Sequence, residues 1–207
     1  MADRLAALCT GSPAAARDSG CRSADTAPSA IHDTAGWPAE DNTLATLKYL
    51  AGYSPDLRQQ VQQLIDRGQL GAWLEQRYPP GEQHSIQTDA ALYDYTQRLK
   101  QQHMRSSGPI SKVLFDTRMH VIDNALGQHQ FVSRVQGGKL KSKNAIKISA
   151  ILKSLPEPLL RMVVVHELAH LREKEHNKAF YQLCRHMEPD YHQLELDLRL
   201  FLTLRDG

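Results

Sequence analysis

The sequence predicts an α+β fold in which several helices precede a small sheet and a buried helix. Between residues 43 and 105, apolar residues recur every three or four positions, which is typical of amphipathic helices. In short stretches between residues 111 and 150 they alternate with polar ones, which indicates strands. A mostly apolar run from Leu159 to Val165 then indicates a helix inside the core. Strands that are followed by helices give an α+β domain.

Length and composition indicate one main domain with a small addition. The chain has 207 residues, of which 41% are hydrophobic, and a net charge of +2 that favours no particular partner. It has no apolar run long enough to span a membrane, so we expect no membrane partner. Three cysteines, Cys9, Cys21 and Cys184, do not form the pattern of a disulfide framework. We therefore expect a cytoplasmic protein, with Cys184 as a buried thiol.

Residues 1–41 are predicted to be a disordered leader. They are rich in Ala, Ser, Asp, Thr and Gly and show no hydrophobic periodicity. A secretory signal peptide would need an apolar stretch of roughly 7–15 residues, and this segment has none.

Residues 42–107 are predicted to form a helical cap segment. Ser54 followed by Pro55 is a typical helix start, and Gly68 marks the end of that helix. Gly108-Pro109 ends the last helix of the segment. The predicted helices run from about Leu44 to Leu50, Pro55 to Gly68, Leu70 to Tyr78 and Asp89 to Arg105.

Residues 108–207 are predicted to form the main domain. Its expected strands are at about 111–118, 129–135 and 145–150, with a turn at Gly137-Gly138 before the third. Around that turn lie Lys139, Lys141 and Lys143, which could bind phosphate or another part of a substrate. The favoured interpretation is that they are exposed lysines that protect an edge strand from aggregation.

The segment His166-Glu167-Leu168-Ala169-His170 carries the most specific chemical signal in the chain. Residues four apart on a helix lie on one face, about 6 Å along the axis, so His166 and His170 can bind one cation. Glu167 is turned away by about 100° and suits a general base that contacts the attacking water. A catalytic zinc site has three protein ligands and an open position, so a third ligand is expected further along.

His176, ten residues after His166, is the predicted third ligand. For His176 to reach the metal, the helix must end near Arg172 to Lys174, and Asn177 can then cap the next helix. A last amphipathic helix is predicted from Asp190 to Leu204. The alternative third ligands are His186, His192, Glu195 and Asp197, and the candidate acceptors behind the ligands are Glu173, Asp190, Glu195 and Asp197.

Three further side chains, Tyr181, Tyr191 and His192, could contact a substrate or stabilise an oxyanion. Each of them has a packing role as its alternative. Packing is the favoured interpretation for each of the three.

The motif and its surroundings resemble the YgjP-like metallopeptidase family, which is related to the SprT-like and WLM zinc peptidases. The matching segments are 145–149, 155–156, 164–171, 176–181 and 187–191. The resemblance implies one zinc ion per chain on His166, His170 and His176, with Glu167 as the general base. It also implies a zincin-like fold, in which a small sheet packs on the helix and its edge strand can pair with an extended substrate.

From these features we expect a zinc-dependent hydrolase, with peptide bonds as the leading substrate. Two alternatives remain open. One is hydrolysis of a nucleotide phosphoanhydride by a nucleoside triphosphate pyrophosphatase, which the basic residues around Gly137-Gly138 motivate. The other is a DNA-associated protein, which the resemblance to SprT-like proteins implies.

Overall fold

The computed structural model describes residues 45–81, 83–119, 127–136 and 139–206. The predicted leader and the predicted turn at Gly137-Gly138 lie outside the described residues, as do the side chains of residues 127–143. None of the helices in the described part of the chain is long and apolar enough to cross a membrane.

The first part of the described chain is helical, as predicted. The Ser54 hydroxyl accepts a hydrogen bond from the Leu57 backbone N–H at 3.3 Å and so caps the helix that Pro55 begins. Gly68 follows the end of that helix with a φ of +65°, a conformation that glycine adopts without strain. The elements are a 3₁₀ segment at Ala45–Leu50, α1 at Pro55–Asp66, α2 at Leu70–Arg77 and α3 at Asp89–His103.

A mixed three-stranded sheet follows, in the order β1-β3-β2. Its strands are β1 at Ile110–Asp116, β2 at Gly127–Gln136 and β3 at Lys139–Ser149. β3 is parallel to β1 and antiparallel to β2. The third strand was expected to begin only at Ala145, but backbone pairing with β2 extends it to Lys139, opposite Gln136. Residues 139–144 are mostly polar, so the hydrophobic pattern does not indicate a strand there. Pairing with β2 makes them part of β3.

The rest of the chain is helical and confirms the α+β prediction. A 3₁₀ segment at Ala150–Ser154 leads to α4 at Glu157–Ala169, α5 at Lys178–Met187 and α6 at Tyr191–Asp206. Helix α4 packs against the sheet, α5 and α6, and its residues Val164, Val165 and Leu168 are fully buried. The helix therefore runs through the core, as its apolar sequence predicts.

Helix α6 is shared between two apolar clusters. Leu194, Leu198 and Leu202 belong to the main core with α4 and α5. Leu196 and Leu200 belong to a second cluster, with residues of the helical segment that precedes the sheet. The amphipathic pattern of α6 predicts one inward face. The second buried face is explained only by the elements that cover it. Those covering residues are Leu47, Leu50, Val61, Leu64, Leu70 and Leu74.

A buried carboxylate also ties the helical segment to α6. Asp197 is fully buried, and its Oδ2 accepts hydrogen bonds from Arg77 Nε at 2.5 Å and from the Tyr78 hydroxyl at 2.6 Å. Its Oδ1 accepts one from Gln193 Nε2 at 2.8 Å. Hydrogen bonding raises the pKa of the Arg77 guanidinium against the opposing effect of burial. The charge of Asp197 is therefore paired and hydrogen-bonded, as a buried charge needs to be.

We predict that Asp197→Ala lowers the free energy of unfolding by roughly 2–4 kcal/mol, because it leaves buried donors on Arg77 and Tyr78 without their acceptor. Urea unfolding followed by circular dichroism measures the change. Asp66→Ala is the matched control, since Asp66 is an exposed carboxylate of α1. A loss no larger than that of the control would contradict a role for Asp197 in holding the helical segment.

Candidate metal centre

The end of α4 and the turn after it position three histidines. His166 lies in the last turn of α4, and His170 caps its end. The Leu171 N–H then bonds to the Leu168 carbonyl at 3.0 Å, which tightens the end of the helix. The helix thus ends earlier than the predicted Arg172 to Lys174. The predicted cap is confirmed, because Asn177 Oδ1 accepts a hydrogen bond from the Phe180 N–H at 2.9 Å.

The three imidazoles converge on one point. His176 Nε2 lies 3.1 Å from His166 Nε2 and 3.2 Å from His170 Nε2. Two nitrogens bound tetrahedrally to zinc at about 2.0–2.1 Å lie about 3.3 Å apart, so the separations suit one such ion. Within the described ranges, these three residues are the group of histidine, cysteine and acidic side chains with metal-binding spacing.

The far nitrogens of two of the rings have oxygen partners. His170 Nδ1 lies 2.9 Å from the Glu173 carbonyl oxygen, which can only accept. His166 Nδ1 lies 2.6 Å from the Tyr191 hydroxyl. When Nδ1 carries the proton, Nε2 presents its lone pair to the metal. This donor set fits a borderline cation such as Zn²⁺.

Burial favours the neutral form of His166 and of His170. It lowers the pKa of His166 to about 3, with the neighbouring His170 and His176 contributing in the same direction. It also lowers the pKa of His170. Neutral imidazole is the form that binds a metal, so the site is ready for one at neutral pH.

The Phe180 ring packs against the rings of all three histidines. Its ring centroid lies 4.9 Å from that of His166, 4.7 Å from that of His170 and 4.8 Å from that of His176. The side chain is fully buried. The spacing of apolar residues along α5 indicates that Phe180 faces inward, but it does not show which rings the side chain meets.

Glu167 follows His166 in the buried helix α4. Only 1% of its surface is exposed, and burial raises the pKa of its carboxyl to about 8. A cation bound nearby would bring that pKa down again, because it favours the charged form. A general base works best with a pKa near the working pH, and the role of Glu167 as that base stays a prediction.

The three candidate substrate residues have different surroundings. Tyr191 is almost fully buried behind His166, so its hydroxyl faces the ligand. The Tyr181 ring lies beside the His176 ring at a centroid distance of 6.3 Å, and beside the His192 ring at 5.3 Å. Tyr181 and His192 thus form one aromatic surface that leads away from the metal centre.

The alternative third ligands make other contacts. The His186 ring packs against that of His103 at 5.9 Å. Glu195 accepts a hydrogen bond from Arg199 at 3.0 Å, while Asp197 binds Arg77. The structure thus brings His176, rather than these residues, to His166 and His170. The side chains of Lys139, Lys141 and Lys143 lie outside the described part of the chain, so their role stays a prediction.

Comparisons with known proteins agree with this geometry. A family described as YgjP-like, metallopeptidase domain matches residues 132–200. The chain is also 58% identical over 160 residues to a UTP pyrophosphatase of Escherichia coli (strain K12). That alignment covers 77% of this chain and 95% of the relative. No solved structure matches the chain.

We predict that His170→Ala loses bound metal, whereas Glu167→Gln retains it, because the first removes a ligand and the second keeps all three. Mass spectrometric metal analysis of the two proteins after extensive dialysis measures this difference. An equal metal content in His170→Ala and the wild type would contradict the ligand assignment.

We also predict that Tyr191→Phe lowers metal affinity by roughly 10- to 100-fold, because it removes the acceptor that holds His166 Nδ1–H. Competition with a zinc chelator measures the affinity. Tyr93→Phe is the matched control, since it removes a hydroxyl that contacts the Ile110 carbonyl instead. Equal affinities in the two variants would show that the Tyr191 hydroxyl does not support the ligand.

Proposed function

The chain belongs to the YgjP-like family, and we propose that it is a zinc-dependent pyrophosphatase of nucleoside triphosphates, with UTP as its substrate. The supporting observation is the 58% identity to a UTP pyrophosphatase, which extends over 95% of that relative. The domain description and the relative's name both support a hydrolase.

The leading expectation from the sequence and its family resemblance was peptide-bond hydrolysis, and the comparisons favour the phosphoanhydride alternative instead. The motif does not distinguish the two reactions, because both need a polarised oxygen and an activated water. Three histidines and a glutamate specify the activation of water. The bond that is cleaved depends on what the rest of the site binds.

The mechanism follows from the positions of the side chains. His166, His170 and His176 would hold the metal, which supplies polarisation of a phosphoryl oxygen and a lower pKa for the attacking water. Glu167 takes a proton from that water as it attacks phosphorus. The P–O bond to the leaving pyrophosphate breaks, so UTP and water give UMP and pyrophosphate. Tyr191 and the Glu173 carbonyl keep His166 and His170 in the tautomer that the metal needs.

Peptide hydrolysis is the second candidate, and one structural feature favours it. Strand β2 is at an edge of the described sheet, runs antiparallel to β3 and packs against α4. An extended peptide could add to such an edge through backbone hydrogen bonds. A role on DNA stays a prediction, which a gel shift with salt titration tests.

We predict that the zinc-loaded wild type releases pyrophosphate from UTP and that Glu167→Gln lowers kcat by roughly 10²- to 10⁴-fold, because the general base is lost. Chromatographic detection of UMP measures the rate. Glu75→Gln, which changes an exposed carboxylate of α2, is the control and should match the wild type.

A parallel incubation with denatured peptides separates the two candidates. New peptide termini that depend on Glu167, together with intact UTP, would overturn the pyrophosphatase proposal and support the peptidase.

A further inference from the structure

A cleft of about 290 Å³ lies beside the metal centre, between the start of the helical segment and α6. Ligand pockets usually have volumes of ~300–1,000 Å³, so the cleft suits a small group such as a pyrimidine base. Its lining is formed by Gly52, Tyr53, Tyr181, His192, Glu195 and Arg199.

The cleft is connected to the metal centre through aromatic rings. The rings of His176 and Tyr181 lie 6.3 Å apart, and those of Tyr181 and His192 lie 5.3 Å apart. The Tyr181 ring therefore lies between a group in the cleft and the ring of His176. A nucleotide has this extended form, with its phosphates at one end and its base at the other.

A charged pair lies at the far side of the cleft. Arg199 donates one hydrogen bond to Glu195 Oε1 at 3.0 Å and another to the Tyr49 carbonyl at 3.0 Å. These bonds hold the guanidinium in place, and a guanidinium carries five N–H donors, which is more than these two bonds use. The Glu195 carboxylate has a second oxygen that can accept. The pair thus offers a hydrogen-bond acceptor on Glu195 beside hydrogen-bond donors on Arg199.

We propose that this cleft binds the base of the nucleotide substrate and that the Glu195–Arg199 pair selects uracil. Uracil carries an N–H between two carbonyl groups, so its N3–H can donate to Glu195 while a neighbouring carbonyl accepts from Arg199. Cytosine presents a lone pair at N3, which the carboxylate repels. Tyr53, Tyr181 and His192 supply the ring surfaces against which a base can stack.

This inference rests on the proposed function, and it gives the helical segment a direct part in substrate binding. Gly52 and Tyr53 come from that segment, whereas Glu195 and Arg199 come from α6. The Arg199 guanidinium also lies 5.8 Å from the centre of the Tyr53 ring. The packing of the segment on α6 would therefore form the base site.

Calorimetric titration of the zinc-loaded Glu167→Gln protein with UTP, CTP and GTP tests the proposal, because this protein binds nucleotide with little turnover. We expect UTP to bind more tightly than CTP and GTP. Adding Glu195→Gln should weaken UTP binding by roughly 10- to 100-fold and reduce the preference over CTP. Adding Glu188→Gln instead is the matched control, because it neutralises a carboxylate that pairs with Arg161 outside the cleft.

Equal UTP affinity and equal preference with Glu195→Gln and Glu188→Gln would overturn the base site, even if the wild type hydrolyses UTP. Tighter binding of CTP or GTP than of UTP, or no nucleotide binding, would also overturn it. Binding of UTP that depends on Glu195, in a protein whose wild type does not hydrolyse it, would support the base site and refute the pyrophosphatase.

Discussion

The contact between His166 Nδ1 and the Tyr191 hydroxyl joins the candidate metal centre to the rest of the molecule. His166 belongs to the buried helix α4, and Tyr191 begins α6. Helix α6 then contributes to both apolar clusters and carries Asp197, which binds Arg77 and Tyr78. The orientation of one imidazole thus depends on the helix that also holds the helical segment in place.

This arrangement links packing to chemistry. The three histidine rings all pack against Phe180. Glu167, which follows His166, is buried, and burial raises the pKa of its carboxyl. Because α6 also lines the neighbouring cleft, the same helix contacts His166 through Tyr191 and forms part of the proposed base site. His166 and the cleft residues Glu195 and Arg199 lie on helices, whereas His176 lies in the turn after α4. Sites on helices hold their geometry more precisely than sites on loops.

Local rules explain what the sequence predicts well. The spacing of His166 and His170 follows from helix geometry, and the cap at Asn177 follows from side-chain chemistry within one turn. Both need information from only a few neighbouring residues. The α+β class is also predictable, since the hydrophobic period changes along the chain.

Long-range packing explains what the sequence does not predict. The hydroxyl behind His166, the second buried face of α6 and the extension of β3 all depend on elements that are distant in sequence. The motif also gives no information about the scissile bond, and so the peptide prediction rested on the resemblance. The cleft beside His176 combines residues from both ends of the described chain, such as Tyr53 and Arg199, and no spacing rule connects them.

A crystal structure of the Glu167→Gln protein with zinc and UTP tests the central claim most directly. Anomalous scattering at the zinc edge locates the metal independently of its protein ligands. The account predicts one zinc ion bound by the Nε2 atoms of His166, His170 and His176, with the triphosphate next to it. Zinc bound by other residues, or a nucleotide bound away from the three histidines, would contradict it.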